Sequence, residues 1–277
     1  MFIQLINISW PRALVLAFVE NGEVHEYSIL WVLLSRLPGV GQDFATHVPD
    51  HLLMAFFVMV VLVLFSLCIR SRLSLEDPGR IQILLETIIG WVRDLAQQMI
   101  GDKAERYIPF LATYAIFILC CNLVGLVPGL QPPTTNLNMT ASLMVVAVVF
   151  YHYHGIRTKG IGRYLKAMTG GFTLGDSGEL SGFLKVFLFV IFYCVLPVIF
   201  FSVELMDHFV ARPLSLSIRL FGSMFGEHTA TMVFADLAPY VVPIVMYLFG
   251  IIGGVVQTFI FVLLTMFYLR GAVSEHH

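Results

Sequence analysis

The chain has 277 residues, of which 58% are hydrophobic and 12% charged, with a mean hydropathy of +0.86 and a formal net charge of −2. A soluble domain carries about twice that share of charged residues, and the near-neutral balance offers nothing to a nucleic-acid backbone. Several apolar runs reach the ~20 residues a helix needs to cross a bilayer, and the ~10-residue alternating segments of a β-barrel are absent. The sequence therefore predicts an all-α polytopic membrane protein.

Residues 1–50 are mixed, with Arg12 and Arg36 against five acidic residues. They lack the basic start and clean cleavage site of a removable signal peptide, and form an expected extracytoplasmic segment ahead of one membrane domain, 51–277. The first span is His51–Ile69. The charged stretch Arg70–Arg106 follows, with six basic and six acidic residues. Within it Ile81, Leu84, Leu85, Ile88, Ile89, Val92, Leu95, Ala96 and Met99 recur at helical spacing, which predicts an amphipathic helix over about 81–100 lying on the membrane surface.

The second span is Ile108–Val127, closed by Pro128-Gly129, and the third is Leu137–His154 after the loop Gln131–Asn136. His152 and His154 at its end read as interfacial, where amphipathic rings suit the headgroup level. The loop Gly155–Lys185 is basic, with a Gly-rich centre at Thr169-Gly-Gly-Phe172. Val186–Asp236 begins apolar and then carries Glu204, Asp207, His208, Arg212, Pro213, Arg219 and Glu227. As one helix it would be on the order of 75 Å long, more than twice a ~30 Å hydrocarbon core. It must be steeply tilted, kinked at Pro213, or two segments. The last helix, about Val241–Leu269, is also long for an upright span. The two predict a long, strongly tilted hairpin over about 186–269.

Basic residues favour the cytoplasm, and they concentrate in Arg70–Arg106 and Gly155–Lys185. This gives an outside N-terminus, five membrane crossings plus the surface helix, and a cytoplasmic C-terminus beside Arg270. Cys68, Cys120, Cys121 and Cys194 lie in apolar segments without metal-ligand spacing, so neither a metal nor a cofactor is expected. No internal repeat of the kind many transporters carry is found.

From Val186 onward only Arg212, Arg219 and Arg270 are Lys or Arg. Arg219 lies inside the membrane and keeps its proton. At a bilayer centre that charge costs about 2.5–3.5 kcal/mol on insertion scales. No acid lies one turn away. On a 100° wheel Ser215, Gly222, Ser223, Gly226 and Ala230 fall within about 60° of it, and Arg212 shares the face. Such a strip is either a tight packing seam within the protein or a surface for a partner that carries an acid. A seam alone does not account for the arginine at its centre.

Glu227 falls ~80° from Arg219 and His228 nearly opposite, toward a flank of the helix. Glu204, Asp207 and His208 cluster on the cytoplasmic side of Arg219, as a proton or ion relay or as a local i,i+4 pair near the interface. Gln257, the one strongly polar residue in the middle of the last helix, is either a hydrogen-bonded core glutamine or a contact that positions Arg219.

The run Pro213-Leu-Ser-Leu-Ser-Ile-Arg-Leu-Phe-Gly-Ser-Met-Phe-Gly226 with Glu227-His228 resembles subunit a of F-type ATP synthases. So do Gly125-Leu-Val-Pro-Gly129, Pro133-Thr-Thr-Asn-Leu-Asn-Met-Thr140 and Gln257-Thr-Phe-Ile-Phe-Val-Leu-Leu-Thr265. Order and spacing agree over about residues 50–270. The resemblance implies a stator subunit in the bacterial cytoplasmic (inner) membrane, beside a ring of c subunits and held by peripheral-stalk b subunits, with no catalytic site of its own. It implies that Arg219 meets the ring carboxylates one at a time, keeps each ionised and blocks a leak between two offset half-channels. Glu227 and His228 match the outer half-channel region, Gln257 matches the family's polar residue on the last helix, Glu204, beside Asp207 and His208, matches the inner half-channel, and Ser223 is counted with the half-channel residues. Ser215, Gly222, Gly226 and Ala230 would face the ring. Two departures stand out: Ser223 where the family often has Asn, and Gly250 where some members carry His or Glu. The hypothesis here is that His228 takes the place of that missing side chain.

Two other functions compete. A stand-alone secondary ion transporter needs a substrate site at the midplane and activity without partners. An intramembrane enzyme built on Glu227 and His228 is disfavoured, because adjacent residues diverge by ~100° on a helix and no H-E-x-x-H motif is present.

Overall fold

A computed structural model describes residues 16–20, 23–28, 30, 48–71, 73–74, 78–127, 129–168, 196–237 and 241–273. The described membrane domain is helical, as the hydropathy pattern predicts. The N-terminal segment adds a short antiparallel ribbon that an all-α reading does not contain. Strand β1 (Leu16–Glu20) pairs with β2 (Glu23–Tyr27), Leu16 opposite Tyr27 and Glu20 opposite Glu23. Asn21-Gly22 between them is the commonest sequence signal for a two-residue hairpin, hidden here in a stretch read only for charge. Ser28 then donates from its backbone N–H and its hydroxyl to the Asp50 carboxylate, at 3.3 and 2.5 Å.

The chain divides into two compact units. The first comprises Met1–Thr140 and Ile218–Leu264. Helix α1 (Asp50–Arg70) has 21 residues, about one hydrocarbon thickness at 1.5 Å per residue. Only Met54 and Val58, one turn apart, are buried; Phe56, Val63, Leu64 and Leu67 point outward. An apolar side chain is content there only in lipid or against a partner.

Helix α2 (Arg80–Ile100) is the predicted surface helix. Val92 and Ala96 are its fully buried residues, and Trp91 packs on Phe259 with ring centroids 5.1 Å apart. Leu85, Ile88, Leu95 and Met99 of the stripe that the periodicity selects are half-buried beside them, whereas Ile81, Leu84 and Ile89 are exposed. Helix α3 (Ile108–Leu123) starts with Pro109, whose missing N–H costs nothing in a first turn, and continues as a tight turn, Val124–Leu126. A second tight turn, Pro133–Thr135, packs against α1. Helix α4 (Leu137–Lys159) follows it, and the Asn136 side chain accepts the free Asn138 N–H at 2.9 Å as an N-terminal cap.

The second unit comprises Ala141–Ser217 and Thr265–His277. Gly160, at φ +78°, ends α4 in the left-handed conformation that glycine adopts without strain, and α5 (Ile161–Met168) leads away. Helix α6 (Leu196–Met206), a π-helical turn (Asp207–Ala211) and α7 (Arg212–Leu237) then follow without a gap, and α8 (Val241–Val273) closes the described chain. The widened turn has a local cause. Pro213 has no N–H for the carbonyl of Phe209, and its ring crowds that carbonyl. Arg212 N–H reaches back to Asp207 O instead of His208 O. His208 O, thereby released, accepts the Tyr151 hydroxyl at 3.0 Å. The expected disturbance at Pro213 is thus a bulge just ahead of it.

Four described helices are long and apolar enough to cross a membrane: Asp50–Arg70, Ile108–Leu126, Leu137–Lys159 and Ile244–Val273. The polar-spotted run through α6 and α7, counted from sequence as the fourth of five crossings, is not among them. Its first part (186–195), most of the basic loop (169–185) and the hairpin turn (238–240) lie outside the described residues.

Candidate functional site

On α7, Leu216, Leu220 and Met224 recur at i, i+4 and i+8 and are buried. That fixes the opposite face outward. Ser215, Arg219, Gly222, Ser223 and Gly226 are exposed and Ala230 is half-buried. A Cβ added to Gly222 or Gly226 would meet nothing within 4 Å. The small-residue strip is therefore an open surface, not a packing seam within this chain. Arg219 stands in it with no hydrogen bond or ion pair to any described residue. Arg212 differs: Nε binds Asp207 Oδ2 at 2.6 Å, and its guanidinium lies 5.1 Å over the Tyr268 ring. Asp207 and Arg212 are five apart, a spacing that comes into line only because the turn between them is π-helical.

Glu227 and His228 line one small, partly open cavity of about 30 Å³ with Asn122, Gly125, Leu126, Pro132, Met224, Thr231 and Tyr247. Adjacent residues on a helix do diverge, yet both border this cavity. A Cβ on Gly250 would overlap Glu227 Oε1, and one on Gly253 would lie 3.2 Å from Oε2. It is Glu227, rather than His228, that fills the space left by the absent side chain at Gly250. Asn122 was overlooked from sequence because it is uncharged, although an amide inside an apolar span is itself a signal. It is buried, and its amide donates to Gly254 O at 3.3 Å and Thr258 Oγ1 at 3.1 Å, while Oδ1 is buried without a partner.

Glu204, Asp207 and His208 come together as predicted. His208 Nδ1 lies 3.1 Å from Glu204 Oε2 and 3.0 Å from the Glu204 carbonyl. One ligand atom from each of the three lies within 4.8 Å of the others, close enough for a cation. Arg212 already holds Asp207, and its charge opposes a second cation there. Gln257 is buried, beside Thr258, whose hydroxyl donates to Gly254 O at 2.7 Å. Ser223 Oγ donates to Leu220 O at 3.1 Å, so this exposed hydroxyl is partly engaged by its own helix.

Comparison with known proteins gives the family. The family model described as ATP synthase A chain matches residues 52–270. ATP synthase subunit a 1 of Syntrophotalea carbinolica is 37% identical over 227 residues, covering 82% of this chain and 87% of that protein. ATP synthase subunit a of Geobacter sulfurreducens is 35% identical over 228 residues, covering 82% and 89%. ATP synthase subunit a 3 of Pelobacter propionicus is 34% identical over 254 residues, covering 92% and 100%. With a matched model over most of its length and relatives above 30% identity, this multi-pass membrane chain belongs to the ATP synthase A chain family.

Proposed function

We propose that the chain is the proton-conducting stator of an F-type ATP synthase, with Arg219 as the fixed cation between two offset half-channels. The observation that carries this reading is Arg219, exposed in a strip of small exposed residues and without a partner among the described residues. A guanidinium left so at membrane depth requires an acid from another chain. A ring of c subunits, each presenting one carboxylate, supplies it, and the strip of Ser215, Gly222, Gly226 and Ala230 lets that partner's backbone come close. A carboxyl leaving lipid arrives protonated, because its charge is costly there. Beside Arg219 its pKa falls and it releases the proton to one water path. Once past Arg219 it is reprotonated from the other path before it meets lipid again. Each charge that crosses 100 mV releases about 2.3 kcal/mol, which biases the ring's rotation.

Glu227 and His228, with Asn122, are assigned to the outer path, and Glu204, Asp207 and His208 to the inner one. Ser223 and Gln257 hold hydrogen-bonding positions near Arg219. In this scheme five crossings put the N-terminus outside and the C-terminus in the cytoplasm, and peripheral-stalk b subunits hold the chain against the torque of the ring. Replacing Arg219 by Ala in the assembled complex is expected to abolish proton-driven ATP synthesis in membrane vesicles with the subunit still present by immunoblot. Wild-type synthesis by that variant removes the assignment.

A further inference from the structure

His152 lies within α4, where its sequence position suggested an interfacial ring; the side chain is instead only 8% exposed. Phe209 stacks on it at 4.6 Å between centroids and 11° between planes. Nδ1 lies 2.7 Å from the Tyr164 hydroxyl, and Nε2 is buried without a partner. Tyr164 comes so close because Gly155 has no side chain: a Cβ there would stand 2.7 Å from the tyrosine ring. A neutral imidazole has one donor and one acceptor nitrogen, and a hydroxyl can serve either at Nδ1. In both tautomers Nε2 is left with an unmet N–H or an unmet lone pair. Such an atom, deep among aromatic rings, calls for a group that moves in and out, a proton or the water that brings it. The His208 ring stands 6.0 Å away, centroid to centroid, already joined to Glu204.

We propose that His152 is a proton-carrying residue of the inner path, working between the Glu204–Asp207–His208 cluster and Tyr164. This rests on the proton-conducting role set out above. In the forward sense Nε2 takes a proton delivered from His208, directly or through one water. The imidazolium releases its Nδ1 proton to the Tyr164 oxygen while the tyrosine passes its own hydroxyl proton to water. One proton enters, one leaves, and no electrons are exchanged. The opposite order serves the reverse flow. Burial pushes the Tyr164 hydroxyl above its usual pKa, so it acts as a neutral phenol that receives and passes protons. The residues just before it on α5, Ile161, Gly162 and Arg163, are exposed, so the relay runs toward the open side of this helix.

The test is ATP-driven acidification of vesicles carrying the whole complex, measured per assembled subunit a. His152→Gln keeps hydrogen-bonding capacity but carries no proton, and is expected to slow pumping by about 100-fold, the low end for loss of a positioned proton-transfer group. His152→Ala is expected to recover with added imidazole and not with pyrazole, which has the same shape but stays neutral near pH 7. Equal rescue by both additives would make the residue a space-filler and overturn the proposal, as would a wild-type rate in His152→Gln. Should both variants fail to assemble, Tyr164→Phe keeps the ring and removes the hydroxyl: slowed pumping supports the relay and an unchanged rate overturns it. Arg219→Ala run in parallel separates the two claims. Normal pumping there ends the proton-conducting reading itself, whereas a dead Arg219→Ala beside a normal His152→Gln ends the relay alone.

Discussion

Arg212 and Arg219 are one residue type, seven positions apart on a helix, and their surroundings give them different work. Arg212 is neutralised by Asp207 and packed over Tyr268, while Arg219 has no partner among the described residues. A charge with its partner at hand is a structural element; a charge without one is a site for something that arrives. The same contrast separates Glu227 from its neighbours, because its carboxylate rests on the glycines of α8. Gly250→Leu is therefore expected to evict Glu227 and slow ATP-driven vesicle acidification at least as much as Glu227→Gln. Both should fall short of the complete loss in Arg219→Ala. A Gly250→Leu complex that assembles and pumps at the wild-type rate would show that the position of the carboxylate is immaterial. Arg219, Glu227 and Gln257 were visible in the sequence because charge and polarity are conspicuous in an apolar run. Asn122 was visible too, but only its neighbours on α8 reveal that it lines the same cavity.

Among the helices, the instructive one is the π-turn between α6 and α7. Its cause, Pro213, is readable in the sequence, but its form is not. A proline is met by a kink, a break or a widened turn according to which nearby donors can take up the released carbonyls. Here Tyr151 takes His208 O. Tyr151→Phe would leave that carbonyl without its donor, for an expected loss of about 1–3 kcal/mol, read as a lower midpoint in thermal unfolding of the detergent-solubilised chain. An unchanged midpoint would mean that water or another donor replaces the hydroxyl. The amphipathic helix α2 was legible in its period and extent: its buried positions, Val92 and Ala96, belong to the stripe that the periodicity marks, while Ile81, Leu84 and Ile89 of that stripe are exposed. His152 is the converse case. Hydropathy gives depth along a span, whereas burial depends on which neighbours close over the ring, here Phe209 and Tyr164.

For the molecule as a whole, the number of crossings is the open quantity that an experiment can close. Five crossings put the termini on opposite sides of the membrane, and four put them on the same side. With the native cysteines replaced, Ser9→Cys is expected to react with a membrane-impermeant maleimide on intact cells, and Ser274→Cys only in inverted vesicles. Labelling of both from one side would remove the α6–α7 run from the crossings. The exposed apolar faces bear on the same point. Phe56, Leu64 and Leu67 on α1, with Leu248, Phe249 and Ile252 on α8, are acceptable only against lipid or a neighbouring chain.

Composition and periodicity were enough for the class of protein, the apolar spans, the surface helix and the isolated arginine, because each follows from local chemistry: a polar backbone in lipid must be helical, and an intramembrane charge must have a use. Contact between distant segments was needed for the rest. That Arg219 has no partner among the described residues, that Glu227 lies over Gly250, and that His152 sits between Phe209 and Tyr164 with one nitrogen unsatisfied are facts of packing. They depend on which side chains close the space around a group, and no spacing along a single helix encodes that.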